Sequence, residues 1–222
     1  MHDRQHDAPT YRHVAPAYDA LASVYSLGAI DRAKAFHHSL IEQGDRVLYA
    51  GAGRGREIVG AIQRRADVTC VEPCSAMAMC LHKRLSAVAD NFAIVPKPIQ
   101  SLHAEPTYDL VVAHFFLNVF DMTAMPDVLG HLCKFVKPNG RIVIADFAPA
   151  TPDAGLVDRA ARWLHYRPLN LAGRLLRICA LHPIYDYAPL LTGQGFTIES
   201  REVFQVISGL PSVYEVIVAK RP

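Results

Sequence analysis

The stretch Val47-Leu48-Tyr49-Ala50-Gly51-Ala52-Gly53-Arg54-Gly55 decides how the rest of the chain is read. The run Arg46–Ala50 (RVLYA) reads as a buried strand that leaves its sheet through glycines at alternate positions. With no Cβ at Gly51 and Gly53, backbone can come within contact distance of a ligand. A helix expected from about Gly55 to Arg65 turns its first N–H groups toward that ligand, which favours a carboxylate or phosphate there. Glu72 stands 21 residues beyond Gly51, at the end of a second apolar run, Val68–Glu72 (VTCVE). A carboxylate in that place can accept from both hydroxyls of a ribose, so loop and acid together point to a nucleoside-bearing ligand. The glycine spacing then discriminates. A dinucleotide fingerprint needs a glycine three residues past Gly53, where Arg56 stands; the pattern present is Gly-x-Gly-x-Gly, ending at Gly55.

Outward from the loop, short apolar runs alternate with helical patterns. Pro73-Cys74-Ser75 opens a helix to about Val88, with Ser75 near its cap. Phe92–Val95 and Leu110–Ala113 are the third and fourth strands. A helix over about Ala124–Val136 precedes the turn Lys137-Pro138-Asn139-Gly140, and Arg141–Phe147 (RIVIADF) is the fifth strand. Strands this apolar, separated by helices, build a parallel sheet covered on both faces with right-handed crossovers. The tail breaks the rhythm: Thr197–Val206 and Val213–Lys220 flank the turn Ser208-Gly209-Leu210-Pro211, leave no room for a helix, and so pair antiparallel. The expected fold is α/β, a Rossmann-like three-layer sandwich whose seven-stranded sheet has five parallel strands and a C-terminal antiparallel hairpin. Two helices, Ala17–Leu27 and Asp31–Glu42, lead into it. A helical insertion, Asp153–Leu181, lies between strands five and six, and Pro168 should divide it in two. The chain is thus one domain: a helical cap (1–44), a ligand-binding core (45–147), a helical lid (148–190) and the hairpin (191–222).

Composition sets the outer bounds. At 222 residues with 51% hydrophobic and 20% charged residues, the chain is globular rather than disordered. Lys+Arg 23 against Asp+Glu 21 leaves a net charge of +2, which is not the balance of a nucleic-acid binder. The polar start MHDRQHDAPTYRH lacks the apolar run of a signal peptide, and no window has the apolar length of a spanning helix. The five cysteines (Cys70, Cys74, Cys80, Cys133, Cys179) contain no Cys-x-x-Cys and read as reduced thiols of a cytoplasmic protein, with no metal site expected. No Gly-x-Ser-x-Gly elbow or P-loop lysine supports a hydrolase or a nucleoside-triphosphatase.

Taken with Tyr18-Asp19…Val24-Tyr25-Ser26-Leu27-Gly28, Tyr108-Asp109-Leu110-Val111-Val112 and Val136-Lys137-Pro138-Asn139-Gly140-Arg141, these motifs resemble the class I S-adenosylmethionine-dependent methyltransferases. The style is nearest to the ubiquinone/menaquinone biosynthesis C-methyltransferases, and the resemblance runs from about Tyr18 to the C-terminus. It implies S-adenosyl-L-methionine as cofactor, with Gly51, Ala52 and Gly53 at its methionyl part and Glu72 on the ribose. It also implies Pro73 and Met77 beside the adenine. Tyr18 and Tyr25 would close over the cofactor, or else pack the leading helix onto the sheet. Two positions depart from the family. An acid usually stands where Tyr49 is, and an Asp commonly follows the third strand, where this chain has Val95-Pro96-Lys97-Pro98-Ile99-Gln100. Protonated Lys97 has no lone pair, so adenine recognition falls to the Ile99 backbone with apolar packing, or to Gln100.

The acceptor side is read from two places. His114 follows the fourth strand directly and is the candidate catalytic base or a cofactor contact. Asn118, four residues on, is expected to tie the loop rather than meet substrate. From Arg159 to Tyr185 there are five arginines (159, 162, 167, 174, 177), no acid, and Trp163, Tyr166 and several leucines between them. Such a basic, aromatic-rich insertion is either a packed helix pair with a solvated arginine face or a roof over a hydrophobic or anionic acceptor. It also suits transient contact with a membrane surface. The reading is methyl transfer to a small, hydrophobic or lipid/quinone-like acceptor. Cofactor binding without transfer and nucleic-acid methylation are the alternatives; the acceptor atom and the oligomeric state are left open.

Overall fold

Side chains alternate across a strand, so a strand buried on both sides feeds two separate cores, as the central strands of this sheet do. The computed structural model describes residues 23–151, 153–175 and 183–222. Seven strands, β1 (Arg46–Ala50), β2 (Asp67–Val71), β3 (Phe92–Val95), β4 (Tyr108–His114), β5 (Val136–Phe147), β6 (Thr197–Phe204) and β7 (Tyr214–Lys220), form one sheet of order β3-β2-β1-β4-β5-β7-β6. The first five are mutually parallel, and β7 enters antiparallel between β5 and β6. The order reverses between β1 and β4, the switch point at which open α/β sheets take their ligands.

One face carries Val47, Tyr49, Val68, Cys70, Leu110 and Val112, packed under α1 (Ala29–Ala35), α2 (Ile58–Gln63) and α3 (Ser75–Leu85). The other carries Leu48, Ala50, Val111, Ala113, Ile142 and Ile144 under α4 (Met125–Phe135) and α6 (Tyr187–Gly193). Adjacent residues of β1 thus belong to different cores. A further helix, α5 (Leu156–Leu175), leaves the sheet after β5.

Several boundaries move for identifiable reasons. The expected helix at Gly55 starts only at Ile58, because Gly51, Gly53 and Gly55 all hold positive φ and keep the chain in turns. Ser75 is near the cap of α3 as expected: it is the first helical residue, after the cap Cys74, which makes no side-chain bond. The second leading helix ends at Ala35 and tightens into a 3-10 turn, Phe36–Leu40, while the first lies mostly outside the described residues. The Lys137–Gly140 turn is absorbed into β5 as an irregularity in the ladder, where Asn139 at φ 62° is tied to Arg221. Pro168 does not split the insertion, since α5 runs through it. A proline removes a single N–H, and the bonds on either side hold the helix, as in kinked helices. The separate α6 was not anticipated; buried Tyr187 and Leu191 make it part of the core.

Candidate active site

The glycine loop is built around a buried carboxylate. Glu72, 7% exposed, accepts from the Gly53 N–H at 2.8 Å and from the Cys74 N–H at 2.9 Å, so it ties the loop after β1 to the start of α3. Burial pushes its carboxyl up, opposed by these two bonds. A carboxylate has about four lone-pair sites, so two are left for a ligand's hydroxyls. Gly51 at φ 65° lies against the Phe116 ring, where a Cβ would fall 2.2 Å from Cδ2. Gly53, at φ 55°, has nothing within 4 Å of where its Cβ would be, which leaves backbone open to an incoming group. The N–H groups of Ala52 and Gly55 bond to the carbonyls of Val71 and Ala52 and are not free for a ligand.

Next to Glu72, Met77 is buried with Cys74, and Pro73 is half-buried. Ile99 is buried in a 3-10 turn, and its carbonyl already accepts from Leu102 N–H and faces His131 Nε2 at 3.0 Å; only its N–H and side chain are available to a base. Lys97 and Gln100 are exposed. Tyr18 lies outside the described residues. Tyr25 reaches α5: its hydroxyl donates to the His165 carbonyl at 2.7 Å.

Beneath the loop is a polar cluster of which the sequence reading saw only two members, Tyr49 and His114. His37 Nδ1 is 2.6 Å from the Lys34 carbonyl and must carry the hydrogen, so its Nε2 accepts from the buried Tyr49 hydroxyl at 2.7 Å. Burial, with His114 and His38 nearby, drives the His37 pKa down to about 2, and the ring is neutral. His114 is 6% exposed, its ring centroid 4.8 Å from that of His37. Among the described residues neither of its nitrogens has a hydrogen-bond partner, and the Glu57 carboxylate is 3.9 Å from Nδ1. Burial lowers the His114 pKa, with Glu57 opposing. Burial also disfavours charge on Glu57, but Lys34 at 3.3 Å and His114 outweigh it and hold the carboxyl well below its ordinary range. An acid is therefore present under the loop although Tyr49 is not one: Glu57 reaches there from beyond the glycines.

Beyond the ends of β4 and β5 the structure assembles residues that no motif linked. Phe115, at φ 51° directly after β4, packs edge-on against Phe147 (5.9 Å, 90°) and against Tyr214 (5.7 Å). A bulky residue at positive φ is strained and persists only where its surroundings hold it. Tyr166 of α5 packs edge-on against Phe147 at 4.8 Å, and His165 Nε2 meets the Tyr214 hydroxyl at 2.8 Å. Below them Asp146, fully buried at the end of β5, accepts from Tyr187 (2.6 Å), from Asn118 (2.8 Å) and from its neighbour's N–H. Burial pushes its carboxyl up to about 7 against those bonds. Asn118 ties the loop as expected. Asp146 was missed, although an acid closing the apolar run RIVIAD is the same signal that singled out Glu72 in VTCVE.

A glycine loop closed by a buried acid, at the switch point of a sheet ordered 3-2-1-4-5-7-6, defines a class I S-adenosylmethionine-dependent methyltransferase. A family profile described as a methyltransferase domain matches residues 24–201, and the chain belongs to that family. The fold is similar to that of Burkholderia thailandensis 1,6-didemethyltoxoflavin-N1-methyltransferase, crystallised with 1,6-didemethyltoxoflavin and S-adenosylhomocysteine: TM-score 0.66, 20% identity, 96% of this chain and 90% of that one. It is similar too to magnesium protoporphyrin IX methyltransferase of Synechocystis with bound S-adenosylhomocysteine (TM-score 0.64, 18% identity, 90% and 84% covered). A third is a geranyl diphosphate methyltransferase in complex with that substrate and sinefungin (TM-score 0.64, 17% identity, 85% and 75% covered). No curated protein sequence matches the chain significantly.

Proposed function

We propose that this methyltransferase acts on a small, hydrophobic acceptor with a flat aromatic, quinone-like or isoprenoid body, bound against Phe115, Phe147, Tyr166 and Tyr214. The observation that carries the reading is this ring cluster, which gathers β4, β5, β7 and α5 at the C-terminal edge of the sheet beside the glycine loop. Aromatic faces offer large apolar area with little entropy to lose. Relatives of the same fold methylate toxoflavin precursors, porphyrins and geranyl diphosphate, which supports an acceptor of this kind.

The cofactor supplies an electrophilic methyl on a sulfonium centre. Gly51, Ala52 and Gly53 would let it approach the backbone, and Glu72 would take its ribose. Pro73, Met77 and Ile99 would flank its adenine, with Tyr25 and His114 at the edge of the site. These residues fit: Gly53 is open where a Cβ would sit, and Glu72 keeps unused lone pairs. Holding donor and acceptor in line and dry accounts for much of the rate such a site can give. His114, kept neutral by burial, is the group we assign to hold or accept an acceptor proton. The lid over the ring cluster is the inward side of α5, residues His165 and Tyr166. The four described cysteines are free thiols, which supports a reducing, cytoplasmic setting.

The test is calorimetric titration with S-adenosylmethionine and S-adenosylhomocysteine beside NADH, followed by turnover on quinones, phenols, prenyl lipids and thiols. Binding of both sulfur nucleosides but not NADH, with turnover on an apolar ring or prenyl acceptor, is expected. Binding with no turnover on any of them would overturn the acceptor assignment.

A further inference from the structure

Helix α5 presents two unlike sides. On its inward side Arg162 holds Asp158 at 2.7 Å and the Ala148 carbonyl at 3.1 Å, His165 holds Tyr214, and Tyr166 packs edge-on against Phe147. The outward side carries apolar residues. Leu156 (88% exposed), Trp163 (56%), Leu164 (67%) and Leu171 (51%) recur at spacings of one face of a helix, with exposed Arg159 and Arg167 between them. The Arg167 guanidinium lies 4.8 Å over the Trp163 ring. The helix contains one acid, Asp158, and it is on the inward side, bound to Arg162. A soluble protein ordinarily turns such a stripe inward.

We propose that this outward face docks the protein on an anionic lipid bilayer, with α5 lying flat in the interface. Trp and Leu enter the boundary between headgroups and acyl chains, while arginine stems bury and their guanidinium groups stay at the phosphates. Two arginines with no acid among them complement a negative surface. The same charges oppose a second copy as occupant, since a two-fold contact through this face would bring guanidinium groups together with no carboxylate to meet them. No described helix is long and apolar enough to cross a membrane, so the contact is peripheral. Docking here would leave the inward side, with Tyr166 and His165, over the ring cluster.

Trp163 is the chain's single tryptophan, so its emission reports this face alone. The experiment titrates the full chain with phosphatidylcholine vesicles, with or without one third phosphatidylglycerol, following Trp163 emission and co-sedimentation, and repeats this with brominated lipid as quencher. Anionic vesicles should shift the emission to the blue, quench it when brominated and sediment the protein. Neutral vesicles and high salt should weaken binding about tenfold or more. Leu164→Glu should abolish the shift, and Arg159→Gln with Arg167→Gln should weaken it about tenfold; both sites are exposed, and circular dichroism checks the fold. Unchanged emission and no sedimentation with anionic vesicles would overturn the proposal. Equal binding to neutral vesicles would overturn its charge complementarity, and a blue shift on concentrating the protein without lipid would assign the face to a second copy. Cofactor titration is independent of all these outcomes, so failure here and failure of the acceptor reading can be told apart.

Discussion

The two sides of the active-site edge are held by different means. On the cofactor side, Gly51, Gly53, Glu72 and Cys74 lie close in sequence, and their geometry is made of backbone bonds to one carboxylate. On the acceptor side, Phe115, Phe147, Tyr166 and Tyr214 come from elements far apart in the chain and meet only as packed rings. A backbone cradle suits a ligand that never changes, since almost no substitution leaves it intact. A wall of side chains from separate elements can be altered one ring at a time, which suits acceptors that differ from enzyme to enzyme.

The comparison breaks most sharply with pH, because each side buries a group titrating in the opposite sense. Asp146 binds its proton more tightly folded than unfolded, so its contribution is fully present below about 3.8 and is lost as pH rises through about 7. His37 does the reverse: its contribution is present above 6.5 and is lost as pH falls toward about 2. The two offset one another between pH 4 and 6.5. Asp146→Asn keeps the hydrogen bonds of the protonated acid and removes its titration. Denaturant unfolding should then show stability falling with acid over this range more steeply than wild type, by about 1.4 kcal/mol per pH unit. Coincident pH profiles would mean that Asp146 is ionised throughout.

Gly51→Ala should cost about 2–4 kcal/mol of stability and abolish cofactor binding, through collision with Phe116 and a strained φ. Gly53→Ala sharpens the point: with open space around it, only about 1 kcal/mol of backbone strain is expected, yet binding should still be lost. Wild-type affinity in that variant would place the ligand elsewhere. Glu72→Ala strands the buried Cys74 N–H and releases that of Gly53, about 1–3 kcal/mol in all, so folding weakens along with binding. Glu72→Gln, which keeps one acceptor oxygen, should recover part of the thermal stability but not the affinity. The smallest effect is on the acceptor side: Phe147→Ala should raise the acceptor KM about tenfold, on the order of 1.4 kcal/mol, with cofactor affinity unchanged. A matching loss of cofactor affinity would show that the two sides are one structure.

Legibility followed sequence distance. RVLYAGAGRG and VTCVE could be read because strand, turn and acid are neighbours whose physics is local: a buried run, a positive φ, a carboxylate within one crossover. The hairpin was legible because two β-rich runs with only a turn between them have one way to pair. Pro168 was misread because a local rule was given more weight than the helix on either side of it. The partner of Tyr49 could not be seen, since His37 reaches it from a leading helix whose approach only packing defines. The same holds for Glu57, whose pull on His114 depends on how the chain turns after Gly55.

By itself, then, the sequence determined the parallel sheet, its antiparallel end and the glycine loop with its acid, because periodicity, glycine conformation and crossover length act over short stretches of chain. Only the tertiary structure decided that Glu72 spends two lone pairs on backbone and that Asp146 is buried near neutrality. It also decided that α5 turns Leu156, Trp163, Leu164 and Leu171 away from the core. Burial, ring contacts and hydrogen-bond partners are properties of surfaces that meet, and they come into being only when distant elements pack.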